Sequence, residues 1–330
     1  MKSAKKIICT LCISLGLISS LYAQDPHLSQ YYASPIFLNP ALTGLTDGEY
    51  RLIGNNKTQW NQITNPYRTF GLSYDIPVNR FGFGLLIMNQ KAGDGGYSNL
   101  NTYGSISYNV RFGANSNTYL YFGMQGGLIQ KRFDSNQLYF DDQYIPGLGL
   151  DRAQQTGEIM ENNTSMYPDV NSGIFIFDGN PLSSINTFAG YSISHILEPQ
   201  ESFFGTSYYL PRRHTVHGGA RIKMSENFNL IPHALFMFQK NAKEAALGLY
   251  GEYHFINTPA SLLLGTTFRV NDAVVAYTGL QFKDFLLGVS YDINSSSLEN
   301  ASQGKGGLEI TLSFTKLRQL LEPKFFCPRL

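Results

Sequence analysis

The chain has 330 residues, a formal net charge of +1 and 15% charged residues, against about 25% in soluble domains. That balance excludes a strong electrostatic field directed at nucleic acid. Of three cysteines, Cys9 and Cys12 fall in the N-terminal apolar stretch and Cys327 near the end, which excludes an internal disulfide scaffold for an exported chain.

The first element is a leader. Lys2, Lys5 and Lys6 precede the apolar run IICTLCISLGLISSLYA, which ends on Leu21-Tyr22-Ala23. This reads as a secretory signal peptide over 1–23, cleaved after Ala23; the alternative is an N-terminal membrane anchor. Neither Cys9 nor Cys12 sits in a lipoprotein box. Residues 24–47 follow as an irregular segment. Its core, SQYYASPIFLNPALTG, is apolar and aromatic, but Pro35 and Pro40 keep it out of a central strand. Tyr31, Tyr32, Ile36, Phe37 and Leu38 still require burial. The expected sites are the mouth of a barrel, with Asn39-Pro40 turning toward the first strand, or a partner's surface.

From residue 48 the chain alternates with period 2. Phe70, Leu72, Tyr74 and Ile76 stand opposite Gly71, Ser73 and Asp75; Phe81, Phe83, Leu85 and Ile87 stand opposite Gly82, Gly84, Leu86 and Met88. The same pattern recurs at Leu247–Phe255, Leu262–Arg269, Phe285–Ile293 and Leu308–Phe314. Alternation fits any half-buried sheet. The segments run about 9–12 residues, against about 5–6 in soluble strands. Ten residues at ~3.4 Å, tilted ~45°, cover roughly 24 Å, the height of a hydrocarbon band. Short connections at 77–80, 112–117, 178–181, 223–227, 257–259 and 283–284 alternate with longer ones at 57–66, 91–98, 134–168, 198–212 and 294–305, although two of the second class, near 240–243 and 270–272, are short. No run after the leader approaches the ~18 apolar residues of a membrane helix. Between a soluble β-protein and an outer-membrane barrel, these features select the barrel. About fourteen antiparallel strands over 48–314 are expected, with both termini in the periplasm. Closure is demanded because an open edge in lipid leaves unpaired N–H and C=O groups.

The flanking segments resemble the PorP/SprF family of type IX secretion system outer-membrane proteins. The resemblance lies in Gln30-Tyr31-Tyr32 with Asn39-Pro40-Ala41-x-x-Gly44, Gln59-Trp60 with Asn65-Pro66, GYSISHILEP (190–199), LLLGTTFRVNDAVVAYTGLQ (262–281) and Cys327-Pro328-Arg329. Leu330, where an aromatic residue is commoner, and HALFMF at 233–238 depart from the pattern. The resemblance implies a fourteen-stranded outer-membrane barrel without catalytic activity or cofactor. It further implies work with the secretion and gliding machinery, with periplasmic or peptidoglycan-associated components, or with an exported surface adhesin.

Other candidate chemistry is thin. His214 and His217 point to opposite faces of a strand and cannot chelate together. Asp141, Asp142, Asp151, Glu158 and Glu161 lack calcium-loop spacing. Gly82-x-Gly84 and Gly147-x-Gly149 lack the rest of a dinucleotide fingerprint. No Gly-x-Ser-x-Gly elbow is present. Arg269, Asn271 and Asp272 fall together at a strand end and read as a rim hydrogen-bond network. Cys327 reads as a free thiol. The tail 315–330, with Lys316, Arg318, Lys324 and Arg329 among apolar residues, reads as a docking segment. Candidate partner contacts are therefore Tyr31, Tyr32, Phe37, Asn39, Pro40, Trp60, Arg269, Asn271, Asp272, Phe325, Cys327, Pro328 and Arg329. The alternative to docking is a diffusion or hydrophobic-solute channel plugged by the N-terminal segment.

Overall fold

The computed structural model describes residues 25–317, apart from 61–64, 94, 114–116, 135–136, 152, 155, 158–162, 204–205 and 297–303. Long alternating segments become strands because their two faces meet two different environments. In chain order they are Gly48–Gln59 (β1), Tyr67–Val78 (β2), Phe81–Ala92 (β3), Tyr97–Arg111 (β4), Thr118–Arg132 (β5), Tyr144–Ile145 (β6), Gly149–Leu150 (β7), Thr164–Asp178 (β8) and Ile185–Ser194 (β9). They continue with Gln200–Phe203 (β10), Thr206–Tyr209 (β11), Arg213–Lys223 (β12), Phe228–Gln239 (β13), Ala242–His254 (β14), Ala260–Arg269 (β15), Ala273–Phe282 (β16), Phe285–Asn294 (β17) and Lys305–Leu317 (β18).

Fourteen of these close into one antiparallel barrel: β1–β5, β8, β9 and β12–β18. The seam joins the first strand to the last, with Leu52 opposite Phe314 and Asn56 opposite Ile310. Closure leaves no free edge, as lipid requires. β6–β7 and β10–β11 are separate two-stranded hairpins in the long connections. Among the described residues no helix is long and apolar enough to cross a membrane; the crossing elements are strands.

The outer face carries the aliphatic and aromatic set expected from the alternation. Phe70, Phe81, Phe83, Leu85 and Ile87 are all exposed there, while Thr69, Ser73, Asp75, Leu86 and Met88 are buried inside. β4, β5 and β8 each reach 15 residues, longer than expected. β18 runs to Leu317, so three residues assigned to the tail belong to the wall.

The barrel is not hollow. Residues 25–47 fold within it as three short turns: Tyr31–Ala33 (3₁₀), Pro35–Leu38 (α1) and Pro40–Leu42 (3₁₀). Pro35 and Pro40 each open a turn, where a fixed φ and a missing N–H cost nothing. Asn39 caps the last turn by accepting from the Ala41 N–H. This explains a stretch that is neither helix nor strand. Its apolar side chains form the core of the molecule. Leu38, Ala41 and Leu42 pack against Tyr121, Phe175, Phe188 and Leu235 of the wall. Ile36 packs on the other side against Leu86, Tyr103, Ile129 and Tyr167.

Two rims follow from chain direction. β1 starts and β18 ends at the rim bearing the short turns; the long connections gather at the opposite rim. The N-terminal segment was expected to stay at the mouth beside the first strand. It instead runs the depth of the lumen. Gly44 bonds Asp75 near the short-turn rim, whereas Asp25 bonds His195, in the long connection after β9. The reason is that the segment carries polar partners for charged wall residues at both ends.

Candidate functional site

The seat of this plug is the most constructed polar feature of the molecule. At the short-turn end, Asp75 of β2 accepts the Gly44 N–H at 2.7 Å and pairs with Arg51 of β1 through two bonds of 3.0 and 2.8 Å. Arg51 also donates to the Leu42 carbonyl. A carboxylate turned into a lumen needs such partners, because an unpaired buried charge is costly.

In the middle, Asn39 is fully buried. Its amide donates to the Ile174 carbonyl at 3.0 Å and lies 3.1 Å from His217 Nε2. The wall makes room with glycine. A Cβ on Gly173 would lie 2.0 Å from Asn39 Oδ1, and one on Gly123 would lie 2.2 Å from the Ala41 nitrogen. These two positions face each other across β5 and β8, so the plug backbone presses directly on the sheet.

At the long-loop end the plug is held on two opposite walls. On one, Asp25 accepts from His195 Nε2 at 2.7 Å and from Arg213 at 3.0 Å. His195 Nδ1 lies 2.9 Å from Asp169, which also accepts from the Tyr103 hydroxyl. Burial alone pushes the Asp25 carboxyl up, but His195 and Arg213 outweigh it and hold the group well below the usual carboxylate range. Burial likewise works against a charged His195, yet Asp25 and Asp169 raise it from 6.5 to about 9. On the other wall, Glu309 of β18 accepts the Ser29 and Gln30 N–H groups, and Ser29 Oγ donates to Asp292 of β17. Arg269 and Lys57, both buried, neutralise Asp292 at 2.8 and 3.5 Å.

Several sequence candidates meet here. Tyr31, Tyr32, Asn39 and Pro40 are buried in the plug. Phe37 is half-buried, with the Arg213 guanidinium 5.1 Å from its ring centre. Arg269 faces the lumen, bonds Ser29 and pairs with Asp272 at 2.8 Å. Asn271, at φ +60°, makes the turn between them. Trp60 stands apart at the long-loop end of β1, edge-on to Tyr67 at 4.8 Å. Phe325, Cys327, Pro328 and Arg329 lie outside the described residues. Thus the plug and Arg269–Asp272 candidates converge on the lumen, and Trp60 does not. His217 points inward to Asn39 while His214 bonds Tyr191 on the outside. In the long loop Asp142 accepts from Thr156 and Gly157; Glu158 and Glu161 lie outside the described residues.

Reading the sequence singled out none of Asp25, Arg51, Lys57, Asp75, Asp292 or Glu309. The available signal was a charged residue on the small-residue face of a membrane strand, which demands a partner inside.

A closed fourteen-stranded barrel with an apolar outer belt and a lumen filled by its own N-terminal segment defines an outer-membrane β-barrel protein. The chain belongs to the PorP/SprF family of type IX secretion system membrane proteins, whose profile matches residues 20–314. No curated protein matches it. Among solved structures it is similar to the Ralstonia pickettii toluene transporter TbuX, at 10% identity and TM-score 0.56, over 87% of this chain and 94% of that one. It is also similar to the CymD monoaromatic hydrocarbon channel, at 9% identity and TM-score 0.52, over 88% and 94%. At such identities the likeness is one of fold. Family and fold are those of a secretion or channel membrane protein rather than of a known enzyme class.

Proposed function

We propose that the protein is a sealed outer-membrane adaptor of the type IX secretion and gliding machinery, working through its two rims. The observation that carries this reading is the plug, which is bonded to the wall from one rim to the other. A lumen so occupied leaves the rims as the working surfaces. In this reading the long-loop rim faces the cell surface, and the connections 133–163 and 195–212 engage an exported, adhesin-like protein. The short-turn rim faces the periplasm. There the tail after Leu317, including Phe325, Cys327, Pro328 and Arg329, meets periplasmic or peptidoglycan-associated components.

The test is affinity purification of the tagged native protein in mild detergent, with identification of what accompanies it. Recovery of an exported surface protein together with periplasmic secretion components supports the adaptor. Recovery of the barrel alone, with steady solute flux in liposomes, supports the channel reading instead. That second reading draws on a cavity of about 100 Å³ between the plug and the β13–β17 wall.

A further inference from the structure

Residues 25–33 leave space on two sides: one cavity of about 20 Å³ lies beside Asp25 and Pro26 toward β4, β5 and β8, and a row of cavities lies on the other. Three cavities lie between them and the wall from β12 to β17. The first, about 30 Å³, sits at the long-loop rim beside Asp25, Gln239 and Glu244. The second, about 20 Å³, shares Pro26, Arg213 and Met237 with the first. The third, about 100 Å³, shares Tyr31 with the second and reaches the short-turn rim at Arg221, Gln281 and Leu286. One strand lines all three in order. Inward-facing residues of β13 place Ile231 and His233 on the third cavity, Leu235 and Met237 on the second, and Gln239 on the first. Eight steps of strand at ~3.4 Å, tilted ~45°, cover ~19 Å, most of the ~25 Å apolar band of a barrel. The cavities therefore stand in series across the wall.

We propose that they form a latent conduit for small uncharged solutes, closed at its middle by the Tyr31 side chain. Tyr31 separates the second cavity from the third. Its hydroxyl lies 2.5 Å from His233 Nδ1, and its ring centre lies 4.4 Å from that of Tyr32. Rotating this ring would join the two spaces; Phe37 and Leu38 of α1 border the second cavity, while Ile36 packs on the opposite side of the lumen. The solute class follows from the lining. The upper mouth carries Asp25 and Glu244 against Arg213 and Lys243, so no net field favours either sign of ion. Below it, Leu28, Leu38, Leu235 and Met237 line the narrow second cavity beside Arg213, which is paired with Asp25, so a cation there would lose its hydration uncompensated. Burial, with Lys57 and Arg269 nearby, keeps the His27 imidazole there neutral. With Tyr31 in place the second cavity has room for about one water molecule.

The inference does not rest on partner docking, and its test reads flux alone. Proteoliposomes containing the native protein are expected to admit urea no faster than protein-free liposomes. Tyr31→Ala should raise the swelling rate tenfold or more, whereas Tyr31→Phe, which keeps the ring, should stay at the native rate. Ile36→Ala, on the other side of the plug, should also stay at the native rate. A folded Tyr31→Ala protein that admits no urea overturns the conduit, and an equal gain from Ile36→Ala overturns its placement. Guanidinium entering through Tyr31→Ala as fast as urea overturns the solute class. Should Tyr31→Ala fail to fold, Tyr31→Val, which also removes the ring, takes its place; no gain in urea entry there overturns the gate.

Discussion

Replacing Gly173 by Ala tests whether the plug is built into the wall. The new Cβ would lie 2.0 Å from Asn39 Oδ1, so a shift of about 1 Å or more is unavoidable. The wall cannot yield cheaply, because Gly173 is paired with Gly123 on β5 and Ser192 on β9. Asn39 must turn instead, losing its bonds with the Ala41 N–H and the Ile174 carbonyl. Each such bond is worth about 0.5–1.5 kcal/mol, with about 1–3 kcal/mol for a buried group left unpaired. Together with packing strain of about 1–3 kcal/mol, plug seating weakens by about 3–5 kcal/mol. At about 1.4 kcal/mol per tenfold, the unseated population rises by about two to three and a half orders of magnitude. The assay is thiol labelling of Ala41→Cys, a fully buried position, in a Cys327→Ser background. Gly173→Ala should label at least a hundredfold faster than the parent. Gly126→Ala, with nothing within 4 Å of its Cβ, should label at the parent rate. Slow labelling in Gly173→Ala would show that the wall does not hold the plug as described.

Three further outcomes are expected. His195, raised from 6.5 to about 9 by its partners, stabilises the fold fully below about pH 6.5 and ceases to do so as pH rises through about 9. On the order of 3 kcal/mol is at stake, read as a fall in melting temperature between those pH values that His195→Gln should abolish. Asp25, held low, contributes above its ordinary value of 3.8, so its share disappears only in strong acid. Asp75→Ala removes the carboxylate that Arg51 and the Gly44 N–H share at the short-turn end and should cost about 3 kcal/mol, read by thermal unfolding in detergent; Asp75→Asn should cost less, keeping an acceptor for the Gly44 N–H. Truncation after Leu317 keeps β18 whole, so the barrel should assemble while periplasmic partners are lost from the purified protein; unchanged recovery would remove the tail from the docking surface.

Much of the fold was legible from period and segment length. Phe81, Phe83, Leu85 and Ile87 announce an outer face because strand alternation is local. The depth of the plug was not legible, because its partners are remote. Ser29 meets Glu309 across 280 positions, and nothing local in SQYYASPIFLNPALTG names that partner. The segment has no single period, since it folds as three short turns, two of them opened by proline. The β10–β11 hairpin was equally hidden. It is held by Glu201, which contacts Lys131 and Tyr167, long-range contacts with no sequence spacing to betray them. Within the site, Asn39 and Arg269 are candidates for partner contact in the sequence; in the barrel Asn39 bonds the wall and Arg269 bonds the plug.

The most direct test of a sealed adaptor is single-channel recording of the purified native protein in planar bilayers. A barrel closed by residues 25–47 should show no steady conductance, while the same barrel lacking those residues conducts. A steady open current from the native protein would contradict the seal and favour a channel.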